Sequence, residues 1–107
     1  MAHALLPKGD LVIDAGAQQA LVERGASLLA VGIRAVEGQF GRQDAVRLVS
    51  LQGEEIGRGL CALSSEEVQQ VLGLSSSAVQ RELQQPAGAA VVHRDHLVLT
   101  ALAPVTD

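Results

Sequence analysis

The stretch AVRLVSLQGEEIGRGLCALSSEE, from Ala45 to Glu67, decides the fold. It opens with two strand-like runs, Ala45 to Leu51 and Ile56 to Leu63. Gln52-Gly53-Glu54-Glu55 separates them, and a short glycine-bearing connection between β-prone runs closes a hairpin. Antiparallel pairing is the consequence. The stretch ends in Ser64-Ser65-Glu66-Glu67, a capping box in which Ser64 takes the cap position and Glu67 reaches back to it. Val68, Val71 and Leu72 follow at helical spacing, and Gly73 stops the helix. A hairpin leading directly into a capped helix makes this an α+β chain.

Toward the N-terminus, Leu11, Val12 and Ile13 form a short apolar run ended by Asp14. Asp14 is placed to cap a helix carrying Ala17, Ala20, Leu21 and Arg24, with Gly25 as its stop. Leu28 to Val36 is β-prone, and Gly32 inside it signals a bulge or a close backbone approach. Gly38 to Gln43 reads as a loop. Toward the C-terminus a weaker helix is expected, capped by Ser75 or Ser76, with Val79 and Leu83 on one face, until Gln85-Pro86-Ala87-Gly88 breaks it. Two final strands, Ala89 to Val92 and Leu97 to Leu102, flank the polar connection His93-Arg94-Asp95-His96, and residues 103–107 form a tail.

A chain of 107 residues holds one domain and one modest core. Apolar residues make up 48% of it, yet Phe40 is the single aromatic, so the core must be aliphatic. The formal net charge of -4 counts against a general polyanion binder, because phosphate contacts supply most nucleic-acid affinity. The charge is uneven, however: Arg24, Arg34, Arg42 and Arg47 face only Glu37 and Asp44 in their segment, which leaves a sparse basic face. A lone Cys61 excludes an intrachain disulfide and a thiolate cluster, and fits a reducing compartment. No signal-peptide pattern opens the chain and no run reaches the roughly 18 apolar residues of a membrane span, so the expected location is the cytoplasm, without membrane contact.

Five patterns invite a chemical reading, and each has a plainer one. His93-Arg94-Asp95 matches the catalytic tripeptide of protein kinases but lacks the glycine-rich loop, lysine and metal-binding motif which that chemistry needs. His93, Asp95 and His96 make a poor metal set, since two histidines three apart converge only on a helix or tight turn. Gly53, Gly57 and Gly59 lack the Gly-Lys-Ser/Thr of a phosphate loop and read as turn and strand-crowding glycines. Cys61 sits in a β-prone run as a buried thiol, and the capping position explains Ser64 and Ser65. No catalytic, cofactor or metal residue is expected in this chain.

Asp14-Ala15-Gly16-Ala17, Gly25 to Ile33, Val36-Glu37-Gly38-Gln39-Phe40, Gly57-Arg58-Gly59-Leu60, Ser64 to Glu67 and His93 to Leu99 occur here in one order and spacing. Together they resemble the PUA domain that closes many glutamate 5-kinases, over nearly the whole chain. The resemblance implies a mixed, mostly antiparallel β pseudo-barrel of about six strands with two or three short flanking helices. It divides the chain into a linker remnant over 1–8, a PUA domain over 9–102 and a tail over 103–107. It also implies a non-catalytic domain that regulates the enzyme or tunes its oligomers, with its own kinase domain as partner and a homo-oligomer formed through the parent. ATP and magnesium would serve that upstream domain, which phosphorylates glutamate in the first step of proline synthesis.

PUA members that bind RNA use the helix after the first strand, the following loop and the next strand. On this chain that face would hold Arg24, Gly25, Ser27, Gly32 and Arg34, with Arg42 as a further candidate, and RNA as the alternative partner. Two departures stand out. Where the family usually has Arg-Gly-Asp this chain has Arg42-Gln43-Asp44, with its glycine moved to Gly41; and the usual Asp-Asn-Leu near the end is Asp95-His96-Leu97.

Overall fold

The hairpin expected from Ala45 to Leu63 lies at the centre of the sheet. In the computed structural model, which describes residues 7–74, 78, 81 and 90–100, strands β3 (Ala45–Val49) and β4 (Glu55–Cys61) pair antiparallel with Arg47 opposite Arg58. Ser50 builds the turn between them. Its backbone N–H donates to the Glu54 carbonyl at 2.8 Å, and its hydroxyl accepts from the amides of Gln52 and Glu54. This explains how a hydroxyl only 2% exposed is tolerated.

Strand β1 (Gly9–Ile13) lies parallel to β3, and β2 (Ile33–Gly38) pairs antiparallel on the other edge of β1. Strand β5 (Val92–Leu99) adds antiparallel to β4, giving the order β2-β1-β3-β4-β5. Leu28, ahead of β2, forms an isolated bridge with Val92 at the start of β5. The two ends of the sheet are thereby drawn together, which is the pseudo-barrel expected from the sequence. It has five strands plus that bridge rather than six among the described residues.

Among the described elements two α-helices flank the sheet. Helix α1 (Ala15–Arg24) begins where the Asp14 carboxylate accepts from the Ala17 amide at 2.8 Å, and ends at Gly25 in the left-handed region with φ 61°. Helix α2 (Ser65–Val71) carries both halves of its capping box. Leu21, Val68 and Val71 are their buried faces, set against Leu11, Ile13, Ile33, Val46 and Leu48 from the strands. The core is aliphatic, as composition required, with Phe40 at its margin.

Three local expectations are corrected. The β-prone run from Leu28 does not enter the sheet directly: Ala30–Gly32 forms a 3-10 turn and β2 starts only at Ile33. Gly38, assigned to a loop, is the last residue of β2. His93 to His96 is no connection between two strands but part of one, β5. The register slips there, because the two steps from Gly59 to Cys61 on β4 are matched by five steps on β5, from Leu97 to Val92. The extra residues stand out as an exposed bulge. Of the weaker helix only Ala78 and Arg81 are described, both helical; its caps, Val79, Leu83, the Gln85 to Gly88 break, the 103–107 tail and residues 1–6 lie outside the described residues.

Candidate functional site

Two concave surfaces flank the β1–β2 pair, one at each end. The first is a slot of about 350 Å³ between α1 and the 25–32 segment, lined by Asp14, Ala17, Ala20, Ser27, Leu29, Val31 and Gly32 among others. Gly32 makes the slot: a Cβ there would stand 2.5 Å from the Cβ of Ala17, closer than side-chain carbons approach. Leu29 and Val31, 36% and 53% exposed, are the apolar lip.

The structure brings most of the sequence-derived candidates to this slot. Ser27 and Gly32 line it, Gly25 caps the helix beside it, and Arg24 ends that helix. Arg34 stands at the rim, with its Nε 3.5 Å from the Asp14 carboxylate that also caps α1. The Ser27 hydroxyl accepts from the Arg94 amide at 2.9 Å, so the His93 to His96 bulge abuts the same face. Arg42 does not join them. It lies beyond the opposite end of β2, in a bidentate ion pair with Glu67 of α2.

The single basic face read from Arg24 to Arg47 is therefore broken up. Lys8 pairs with Asp44, Arg47 with Asp10 at 2.9 Å, and Arg58 with Glu55 at 3.2 Å. Among the described residues only Arg24, Arg81 and Arg94 have no carboxylate partner. Hydrogen bonds from Arg42 hold the Glu67 carboxyl down at about 2, helped by the Ser64 amide and opposed by burial. Glu55 is pushed up by burial, but bonds from Thr100 and Arg58 outweigh this and leave it below the usual carboxylate range. The Arg42 and Arg47 guanidiniums are held above their ordinary range by the same pairs. A phosphate would have to displace these carboxylates.

The second surface is a groove of about 740 Å³ lined by Lys8, Val36, Gly38, Gln39, Phe40, Gly41, Asp44, Ser65, Glu66 and Gln69. Its walls are tied together across the chain. The Ser65 hydroxyl and the Phe40 backbone exchange hydrogen bonds at 3.3 Å, the Ser65 amide donates to the Phe40 carbonyl at 2.9 Å, and Asp44 accepts from the Gly41 amide at 2.7 Å. Sequence reasoning missed this groove. Its residues are of mixed type and come from three separate stretches with no single motif, and only the contact of the 38–44 turn with α2 assembles them.

The side chains whose types invite a chemical reading are otherwise engaged. Burial pushes the Cys61 thiol up to about 11, away from the thiolate a nucleophile needs. Ser64 caps α2 and Ser65 bonds Phe40. His93 Nδ1 accepts from the Asp95 amide at 3.1 Å, and no three His, Cys, Asp or Glu among the described residues are grouped to hold a metal. Gly57 and Gly59 press against the β5 backbone, where a Cβ would meet the Val98 and His96 carbonyls at 2.6 and 2.7 Å. No described helix is long and apolar enough to cross a membrane.

Comparison with known proteins agrees with this architecture. A PUA domain family model matches residues 9–83. Glutamate 5-kinase of Synechococcus elongatus is 49% identical over 100 residues, covering 94% of this chain and 27% of that enzyme. Glutamate 5-kinase of Thermus thermophilus is 50% identical over 95 residues, covering 89% and 26%. The chain thus spans about a quarter of the length of the curated relatives it matches, and it corresponds to their C-terminal region. A crystal structure of a PUA domain from Aeropyrum pernix, a tartrate complex, superposes with a TM-score of 0.58 at 29% identity over 83% of this chain and 42% of that one. The archaeal box H/ACA sRNP Nop10-Cbf5 complex aligns with a TM-score of 0.51 at 27% identity, over 56% of this chain and 19% of the other. Sheet order, capping box, glycine-built slot and half-identity to enzymes of one kind converge: the chain belongs to the PUA domain family, in the form found at the C-terminus of glutamate 5-kinases.

Proposed function

We propose that this PUA domain is the non-catalytic accessory domain of a glutamate 5-kinase of proline biosynthesis, and that it tunes assembly or feedback control of the kinase domain preceding it. The observation that carries the reading is the internal neutralisation of most of its cations. Lys8, Arg34, Arg42, Arg47 and Arg58 all face carboxylates of the same chain, which suits a surface made for protein rather than for phosphate. Half-identity to glutamate 5-kinases supports the parentage. In this reading ATP and magnesium belong to the kinase domain, its own kinase domain is the partner, homo-oligomers form through the parent, and the enzyme works in the cytoplasm. The test compares the full-length enzyme with one truncated before Gly9. Proline inhibition, assembly or turnover should change; if all three stay the same, the regulatory role is lost.

A second reading, RNA or DNA binding at the α1 slot through Arg24, Gly25, Ser27, Gly32 and Arg34, is favoured by the solved relative in an sRNP complex. Its signature is affinity that falls steeply with salt. Absence of binding at low ionic strength sinks it.

A further inference from the structure

We infer that the groove at Lys8, and not the slot beside α1, is the surface on which the kinase domain docks. The inference rests on the proposed parentage and adds the surface to it. Lys8 immediately precedes β1 and lines the groove. Whatever precedes this domain in a longer chain therefore leaves from the groove itself. Each linker residue spans at most about 3.5 Å, so a folded unit joined by a short linker at Lys8 stays beside the groove. A short flexible tether keeps the partner at about millimolar effective concentration. Even a weak interface beside the tether is then occupied, whereas the α1 slot opens at the far end of the β1–β2 pair.

The chemistry of the groove fits a protein partner. Phe40 and Val36 give it an apolar floor, and Gln39, Glu66 and Gln69 form a rim whose side chains bond no other described residue. An apolar centre with a polar rim is the anatomy of a protein interface. Its walls are held by the Ser65–Phe40, Gly41–Asp44 and Arg42–Glu67 contacts, so little conformational freedom is lost on docking. Lys8 already faces Asp44, which leaves Glu66 as the free charge of the rim. The matching surface is one that offers amide and basic donors.

Hydrogen exchange on the full-length enzyme tests this, with Gln39→Arg/Gln69→Arg as the groove variant and Val31→Arg as a slot control. All three positions are exposed, so the substitutions leave the core intact. In the wild type the amides of 39–44 and 65–69 should exchange about tenfold more slowly than in the groove variant, as expected when docking suppresses local opening. The Val31→Arg enzyme should match the wild type. Equal exchange in wild type and groove variant, or equal acceleration in the slot control, overturns the assignment. A reading frame without an upstream kinase domain defeats the parentage; unmoved exchange with that domain present defeats only the groove.

Discussion

Gln43 is the only non-glycine residue among those described with a positive φ, at 71°. Its neighbours hold it there. The Gln43 amide donates to the Cys61 carbonyl at 2.7 Å, the Asp44 amide to the Gly41 carbonyl at 3.2 Å, and Asp44 accepts from the Gly41 amide at 2.7 Å. A non-glycine residue in the left-handed region costs about 1–2 kcal/mol. Glycine removes that strain but gives back about 0.5–1 kcal/mol through the greater freedom of the unfolded chain. Gln43→Gly should therefore stabilise the domain by about 0.5–1 kcal/mol, or raise the melting temperature by roughly 2–5 °C. Gly41 is the mirror case, because its φ is not positive and a Cβ there would meet only the Asp44 carboxylate at 3.6 Å. Gly41→Ala should add about 0.4–1 kcal/mol of its own. Urea and thermal unfolding of wild type, Gln43→Gly and Gln43→Ala decide the matter, with alanine keeping the Cβ and so the strain. If Gln43→Gly is no more stable than Gln43→Ala, the reasoning from backbone strain is wrong.

Glu67→Ala removes both the return half of the capping box and the partner of Arg42; loss of the cap alone should cost about 1 kcal/mol in urea unfolding. Because the folded Glu67 carboxyl is lowered from 4.5 to about 2, its contribution is complete above about pH 4.5 and fades as pH falls toward 2. The gap between wild type and Glu67→Ala should narrow over that window in acid titrations. Gly32→Ala should destabilise by about 1–3 kcal/mol through its clash with Ala17, and Ala17→Gly in the same chain should recover part of the loss in thermal melts. Leu48→Ala, at a fully buried position of the central strand β3, should cost about 2–5 kcal/mol by calorimetry or urea unfolding.

Much of the fold was legible because its signals are local. The cap at Asp14, the stop at Gly25, the hairpin around Gly53 and the box from Ser64 to Glu67 each depend on residues a few positions apart, and each stands where the sequence placed it. The errors fall where a distant partner overrides local preference. The β-prone Leu28 to Gly32 segment is bent by the bridge of Leu28 to Val92 and the packing of Gly32 on Ala17. The polar His93 to His96 segment stays in a strand because β4 supplies backbone partners on both sides of it.

The site shows the same division. The glycine and helix-end positions of the α1 slot could be named from their order along the chain, while the state of the arginines could not. Charge counting places four of them in one segment, but only folding sets Arg42 against Glu67, Arg47 against Asp10 and Arg34 against Asp14. By itself the sequence determined an aliphatic α+β domain with its caps and turns, because these arise from short-range propensity and composition, while the order and spacing of its motifs carried the family likeness. Tertiary structure alone decided the parallel pairing of β1 with β3, the groove at Lys8 and the neutralisation of the basic side chains. Pairing across the sheet joins residues tens of positions apart, and a Coulomb interaction depends on distance in space, not along the chain.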